Sequence, residues 1–295
     1  MATRSEEHGS LVHRLGPIRR VLAHALLITL CFPFILPLVW MVSTSLKDDR
    51  QIYGGSDQQA VVSFSTIVPS PIKWSNYPEA LHTVPLGSYL KNTLFLCAVN
   101  VIGAVLSSAV VAYGFARLRF PGREFLFMLM IGTMALPSQV TMIPVFALYR
   151  TLGWYGTYLP LIVPSFFSTA FFVFLLRQFF QTIPEELTEA ARIDGAGEWR
   201  VFWQIMLPLA KPAMATCALF QFLGTWNDYF GPLLYINNPS QYTLAYGLEQ
   251  FMSSYGGEWT QLMAAATIFT APIIILFFLT QRTFIQGIAT TGGKA

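Results

Sequence analysis

Charge is what this sequence has least of. Only 11% of its 295 residues are Asp, Glu, Lys or Arg, against about 25% in a water-soluble domain. With 54% hydrophobic residues and a mean hydropathy of +0.51, the shortage points to lipid as the solvent. The basic residues are scattered over short segments and the net charge is only +3, so no basic stripe exists for nucleic acid to bind. Cysteine is nearly absent: Cys31, Cys97 and Cys217 lie inside apolar stretches. Their odd number and wide spacing argue against a disulfide framework or a zinc site, and they read as small buried hydrophobes. Enzyme signatures are missing too, with no HExxH and no G-x-S-x-G. The end Gly287…Gly292-Gly293-Lys294-Ala295 brushes against a phosphate-loop pattern. It lacks the hydroxyl residue after Lys and no strand–helix unit precedes it. No catalytic residue, metal ligand or cofactor is expected. No cleavable leader is expected either, because the first ~20 residues are polar and no small-residue cleavage site follows the apolar run after them.

What is present is long apolar runs. A membrane helix needs about 20 largely apolar residues. Ala25–Leu46, Asn92–Ala116, Phe125–Tyr149 and Thr151–Leu176 carry no charge, Pro212–Ile236 only Asp228, and Trp259–Gln281 completes the set. These predict an all-α integral membrane protein of six spans. Positive charge concentrates on the cytoplasmic side of membrane proteins. With both termini on one side, that side holds 13 Lys and Arg and the other holds 5. Both termini are therefore expected to be cytoplasmic. The expected organisation is a cytoplasmic segment 1–24, a six-span domain 25–287 and a C-terminal tail 288–295. An external loop, 47–86, contains Tyr53-Gly54-Gly55-Ser56 and Trp74-Ser75-Asn76-Tyr77-Pro78, and would either pack as a small cap or stay loose. Trp40, Trp154 and Trp259 read as anchors in the membrane interface.

One polar loop, 181–211, lies between spans four and five (helices five and six if the N-terminal segment counts as a helix). Pro184 with Glu185 and Glu186 is a helix start, since the helix dipole favours acids there. Glu185–Ala191 should be helical, Gly195 and Gly197 should turn the chain, and Glu198–Met206 should form a second short helix with Trp199, Phe202 and Trp203 on its apolar side. Two helices at an angle make a knob that a partner could push. The alternative is an amphipathic loop lying on lipid headgroups.

The spacing in this loop is specific. Glu189-Ala190-Ala191, then Gly195, then Ile205-x-Leu207-Pro208 fill seven fixed positions in twenty residues. They resemble the EAA loop of ABC-importer permeases. Ile183-Pro184-Glu185-Glu186-Leu187, Ala191-Arg192-Ile193-Asp194-Gly195-Ala196, Trp226-Asn227-Asp228 and the tail Gln281–Gly287 are similar to the carbohydrate-uptake branch, and the layout to its smaller maltose-type subunit. The resemblance implies a non-catalytic, multi-pass subunit of a prokaryotic inner membrane. It implies two ATPase subunits, a second and distinct permease, and an extracytoplasmic solute-binding protein that delivers a sugar, di- or oligosaccharide. Glu189, Ala190, Ala191, Asp194 and Gly195 would then sit in the ATPase groove, with Glu189 facing an ATPase arginine. Phe284 and Gln286 of the tail would reach between the ATPases.

Asp228 is the one acid inside a predicted span, and a charge there is costly unless paired or hydrated. Trp226, Asn227, Asp228 and Tyr229 together offer aromatic faces and polar groups of the kind a sugar site uses. A plain hydrogen bond between helices, or a position near the membrane boundary, is the alternative for Asp228. Gln139, between Pro137 and Pro144, is a second pathway candidate because polar groups between helix-breaking prolines need a partner or a wet cavity. Three rivals remain: an ABC permease for a non-sugar solute, a transporter working alone, and a non-transporting membrane scaffold. The second is weakened by the lack of further intramembrane acids for ion coupling.

Overall fold

In this computed structural model the structure describes residues 17–53, 68–253 and 258–292. All strand-like or helical structure among them is helical. The chain divides into two units, residues 1–80 with 256–267 and residues 81–255 with 268–295.

The first unit begins with α1 (Pro17–Ser45), which carries Pro33 and Pro37 and exposes large apolar residues along most of its length, Phe34 at 85% and Val21 at 69% among them. Two short helices follow, α2 (Asp49–Tyr53) and α3 (Asn76–Thr83). The last carbonyls of a helix lack partners within it, and here Asn76 supplies one. Its fully buried amide nitrogen donates to Ser45 O at 2.9 Å and Lys47 O at 2.7 Å. The Ser45 and Tyr77 hydroxyls are 2.8 Å apart, and Lys47 lies over the Trp40 ring at 4.4 Å. Thr260 donates to Asp49 at 2.8 Å. The described start and end of the predicted external loop are thus packed, and its residues 54–67 lie outside the described residues.

The second unit is built on α4 (Leu86–Arg117), flanked by α5 (Arg123–Thr133), α6 (Ser138–Thr151), α7 (Leu159–Ile162) and α8 (Ala170–Thr182). Then come α9 (Glu185–Ile193), α10 (Glu198–Val201), α11 (Leu207–Leu209), α12 (Lys211–Trp226), α13 (Phe230–Tyr235) and α14 (Leu244–Ser253). The last helix, α15 (Trp259–Gly292), runs through both units. Gly103, Ala104, Ser108, Ala109 and Ala112 line α4 where α8 and α12 pack on it. Small residues let membrane helices approach closely. A methyl on Gly103 would come within 2.7 Å of Ser165 Oγ. Leu176, Phe180, Val201, Met206 and Cys217 complete the core. By contrast α6 buries no residue, and α5 and α6 expose Phe125, Met128, Val140 and Ile143. Such surface belongs against lipid or another protein.

Among the described residues four helices are long and apolar enough to cross a bilayer, or up to six if each bent pair is one span. The predicted spans shift accordingly. Phe125–Tyr149 is not one helix: α5 ends at Thr133, tight turns follow, Pro137 is extended at ψ 133°, and α5 and α6 meet at 95°. Thr151–Leu176 starts late. Gly153 and Gly156 take positive φ (71° and 79°), so the apolar helix begins at Leu159 and runs to Thr182, with a 3-10 stretch Val163–Phe167 and a break at Ser168 (φ 68°). Pro212–Ile236 is split into α12 and α13 around Asn227–Tyr229. The predicted tail 288–295 is helical through Gly292, and residues 1–16 and 293–295 lie outside the described residues.

Candidate coupling elbow and polar cavity

The chain leaves α8 at Thr182 and turns into α9. Arg117, the last residue of α4, holds that corner. Its side chain is 5% exposed. Nη2 donates to Phe180 O at 2.7 Å and to Ile183 O, and Nη1 lies 3.5 Å from a Glu185 oxygen. A cation suits the carbonyl end of a helix, where the dipole is negative. Glu198, opening α10, ties the next corner. It accepts the Tyr113 hydroxyl at 2.5 Å and Arg192 Nε at 2.9 Å. The Arg192 bond, followed by the Tyr113 bond, holds the Glu198 carboxyl below the usual range for glutamate. The same Glu198 bond raises Arg192. Arg177 donates to Phe115 O at 3.3 Å and lies 3.4 Å from Glu124 and 4.0 Å over the Phe127 ring, joining α8 to α4 and α5.

The fixed motif positions have local causes. Ala196 N–H reaches back to Ala191 O (2.9 Å) and Gly195 N–H to Arg192 O (3.0 Å). This is the paired-bond helix ending that needs a left-handed residue after the helix, and Gly195 supplies it at φ 81°. Pro208 has no N–H to give and would press on the carbonyl four residues earlier. One turn before it the helix widens: Phe202–Met206 is a π turn in which Leu207 N–H donates to Phe202 O. Glu189, Ala190 and Asp194 are exposed, Ala191 half-buried. Glu189 rims an open hollow of about 420 Å³ together with Arg117, Arg119 and Arg192.

A second polar feature lies further along α4. Asn100, Ser165, Thr169, Gln221, Thr225 and Asp228 line a cavity of about 300 Å³. Asp228 Oδ1 accepts the Gly231 N–H at 2.9 Å.

Residues 104–290 match the family described as binding-protein-dependent transport system inner membrane component. The chain belongs to this family. It is therefore an inner-membrane permease component of an ABC transporter. A probable ABC transporter permease of Bacillus subtilis is 34% identical over 88% of this chain and 83% of its own length. The diacetylchitobiose uptake system permease of Streptomyces coelicolor is 31% identical, covering 88% and 84%. The sn-glycerol-3-phosphate transport system permease of Yersinia pestis is 34% identical, covering 91% and 95%. A solved bacterial ABC transporter involved in import of the acidic polysaccharide alginate shares the fold of one chain. It has a TM-score of 0.76 and 24% identity, over 96% of this chain and 99% of that one.

The predicted coupling residues come together on one permease elbow. The predicted pathway residues do not. Asp228 lines the cavity, but Trp226 is fully buried against Phe222 and Phe269, with ring centroids at 5.4 Å from each. Asn227 bonds Leu223 O at 2.8 Å, Tyr229 stacks on Tyr246, and Gln139 is exposed on α6. Phe284 and Gln286 continue the backbone of α15, and their side chains lie outside the described residues. Sequence reasoning missed Arg117, Tyr113, Asn100, Gln221 and Thr225. The signal for the last two was their spacing with Asp228. Positions 221 and 225 share one face of α12, and Asp228 follows just past its end.

Proposed function

We propose that this chain is the smaller permease subunit of an ATP-driven importer carrying a sugar, di- or oligosaccharide, into the cytoplasm. ATP hydrolysis resides on two separate ATPase subunits that dock at the α9–α10 elbow. A second, distinct permease completes the pathway, and an extracytoplasmic binding protein delivers the solute. Six spans, each bent pair counted as part of one, with both termini and the elbow cytoplasmic, accord with the skew of Lys and Arg. The uptake systems named for diacetylchitobiose and, less directly, glycerol phosphate support a polyhydroxylated solute.

The observation that carries this reading is the elbow itself. It exposes Glu189, Ala190 and Asp194 to a partner while Arg117 and Glu198 fasten it to α4. A push on α9 therefore reaches a helix of 32 residues. Glu189→Lys tests it: the variant chain is expected to insert normally, to lose ATPase on affinity purification and to lose uptake. Uptake at the wild-type rate would remove the coupling role. Recovery of the wild-type chain without an ATPase under mild detergent would point to a transporter working alone.

A further inference from the structure

We propose that this subunit carries a solute subsite of its own, the cavity where Asn100, Gln221, Thr225 and Asp228 meet. The subsite takes a neutral or amino-substituted sugar ring and rejects anionic solutes. The inference rests on the importer reading above and names the solute class.

Three observations converge. The first is an unmet hydrogen bond. Asn100 is 5% exposed, and its Oδ1 is buried without any hydrogen-bond partner. A buried acceptor left unpaired is costly. Its Nδ2 donates to Thr225 Oγ1 at 3.4 Å, and Gln221 Nε2 donates to the same oxygen at 3.1 Å. Thr225 thus has both neighbours as donors, and its own proton is left to give. The second is charge. Among the described residues Asp228 is the single charged group lining the cavity. One of its oxygens accepts the Gly231 N–H at 2.9 Å. The Asp228 carboxylate asks for donors, which hydroxyl or ammonium groups supply. A uronate or phosphate would bring a second negative charge next to Asp228, with no cation to offset it.

The third observation is backbone. The cavity is bounded on one side by Pro164, Ser165 and Thr169, around a 3-10 stretch and Ser168 at φ 68°. Irregular backbone at membrane depth is tolerated where it is buried in protein or lines a cavity. Gly224 leaves the α12 wall without a side chain there. At about 300 Å³ the space sits at the small end of ligand pockets, which run from about 300 to 1,000 Å³. That suits one ring of a longer solute.

The test uses the complete importer, with its ATPase, partner permease and binding protein, reconstituted in proteoliposomes. ATP-driven uptake is measured for a panel of neutral disaccharides, diacetylchitobiose, an amino disaccharide, a uronate disaccharide and sn-glycerol 3-phosphate. The wild type is expected to carry a neutral or amino sugar. Asp228→Asn and the near-isosteric Thr225→Val should each raise the KM for that solute about tenfold, as expected for one lost hydrogen bond to a charged or buried group. Both should still co-purify with the ATPase, which shows that they fold. Asp228→Asn should also raise uptake of the uronate relative to the neutral sugar. Preferential wild-type uptake of the uronate or phosphate, or an unchanged KM in both variants, overturns the subsite. Absence of ATP-driven uptake of every solute by the wild type takes down the importer reading and the subsite with it.

Discussion

The same helix, α4, carries two polar regions of opposite character. Around Arg117 and Tyr113 the polar groups answer one another, Arg117 Nε alone excepted. Arg117 reaches two carbonyls and Glu185, and Glu198 takes both Tyr113 and Arg192. Around Asn100, some seventeen residues earlier on the same helix, a buried acceptor, Asn100 Oδ1, is left open. A region whose bonds close on themselves behaves as a joint, since it holds a shape and asks nothing of a ligand. A region whose bonds stay open is waiting for donors from elsewhere. The difference separates transmission from recognition within one chain.

The joint can be broken in graded steps. Arg117→Met should have the largest effect on stability. It keeps most of the side-chain length but leaves the Phe180 and Ile183 carbonyls without their buried donor, at a cost of about 3 kcal/mol. Thermal melting of the solubilised protein measures it, and an unchanged melting temperature would show that the corner is held by packing alone. Gly195→Ala comes next. Nothing lies within 4 Å of the added methyl, so the cost is conformational, about 1 kcal/mol for a left-handed alanine. A larger loss would mean that the turn is crowded by something other than its own backbone.

A pH series sharpens the comparison further. Glu198 titrates below its usual range because of Arg192 and Tyr113. Its contribution is complete above the ordinary glutamate pKa of about 4.3 and is lost as pH falls through the lowered folded value. Melting curves between pH 6 and pH 3 should therefore fall less steeply in Glu198→Gln than in the wild type. Parallel curves would remove Glu198 from the joint. The smallest effect belongs to Arg200→Ala, where an exposed bond to Gln204 at 3.1 Å is lost. A change within about 0.5 kcal/mol is expected of such a surface site.

Much of this molecule was legible in the sequence, for reasons that are physical. Lipid demands long apolar runs, so the number of runs could be counted. The helix-opening Pro184-Glu185-Glu186 and the helix-ending Gly195 act through their own backbone, and α9 forms where they place it, Glu185–Ile193. Bends were harder. Pro137 announces a break, but its 95° angle depends on what α5 and α6 pack against. Partners distant in sequence were out of reach altogether: Arg117 bonds to carbonyls 63 and 66 residues away. Trp226 was misleading because it adjoins Asp228 in the chain. In the helix its ring turns to Phe222 and Phe269, while Gln221 and Thr225 share the cavity with the acid.

The wide turn before Pro208 determines which changes this stretch can absorb. Its hydrogen bond spans five residues instead of four, from Leu207 back to Phe202. Successive residues of an α-helix are rotated by about 100°. The wide turn holds one residue more than an α turn. Dropping one residue within Phe202–Met206 would let it close to an α turn and keep the buried Val201 and Phe202 in phase with the buried Met206 and Ala210. Adding one there, or dropping one outside it, would rotate every contact upstream. This stretch has one residue to spare and no more.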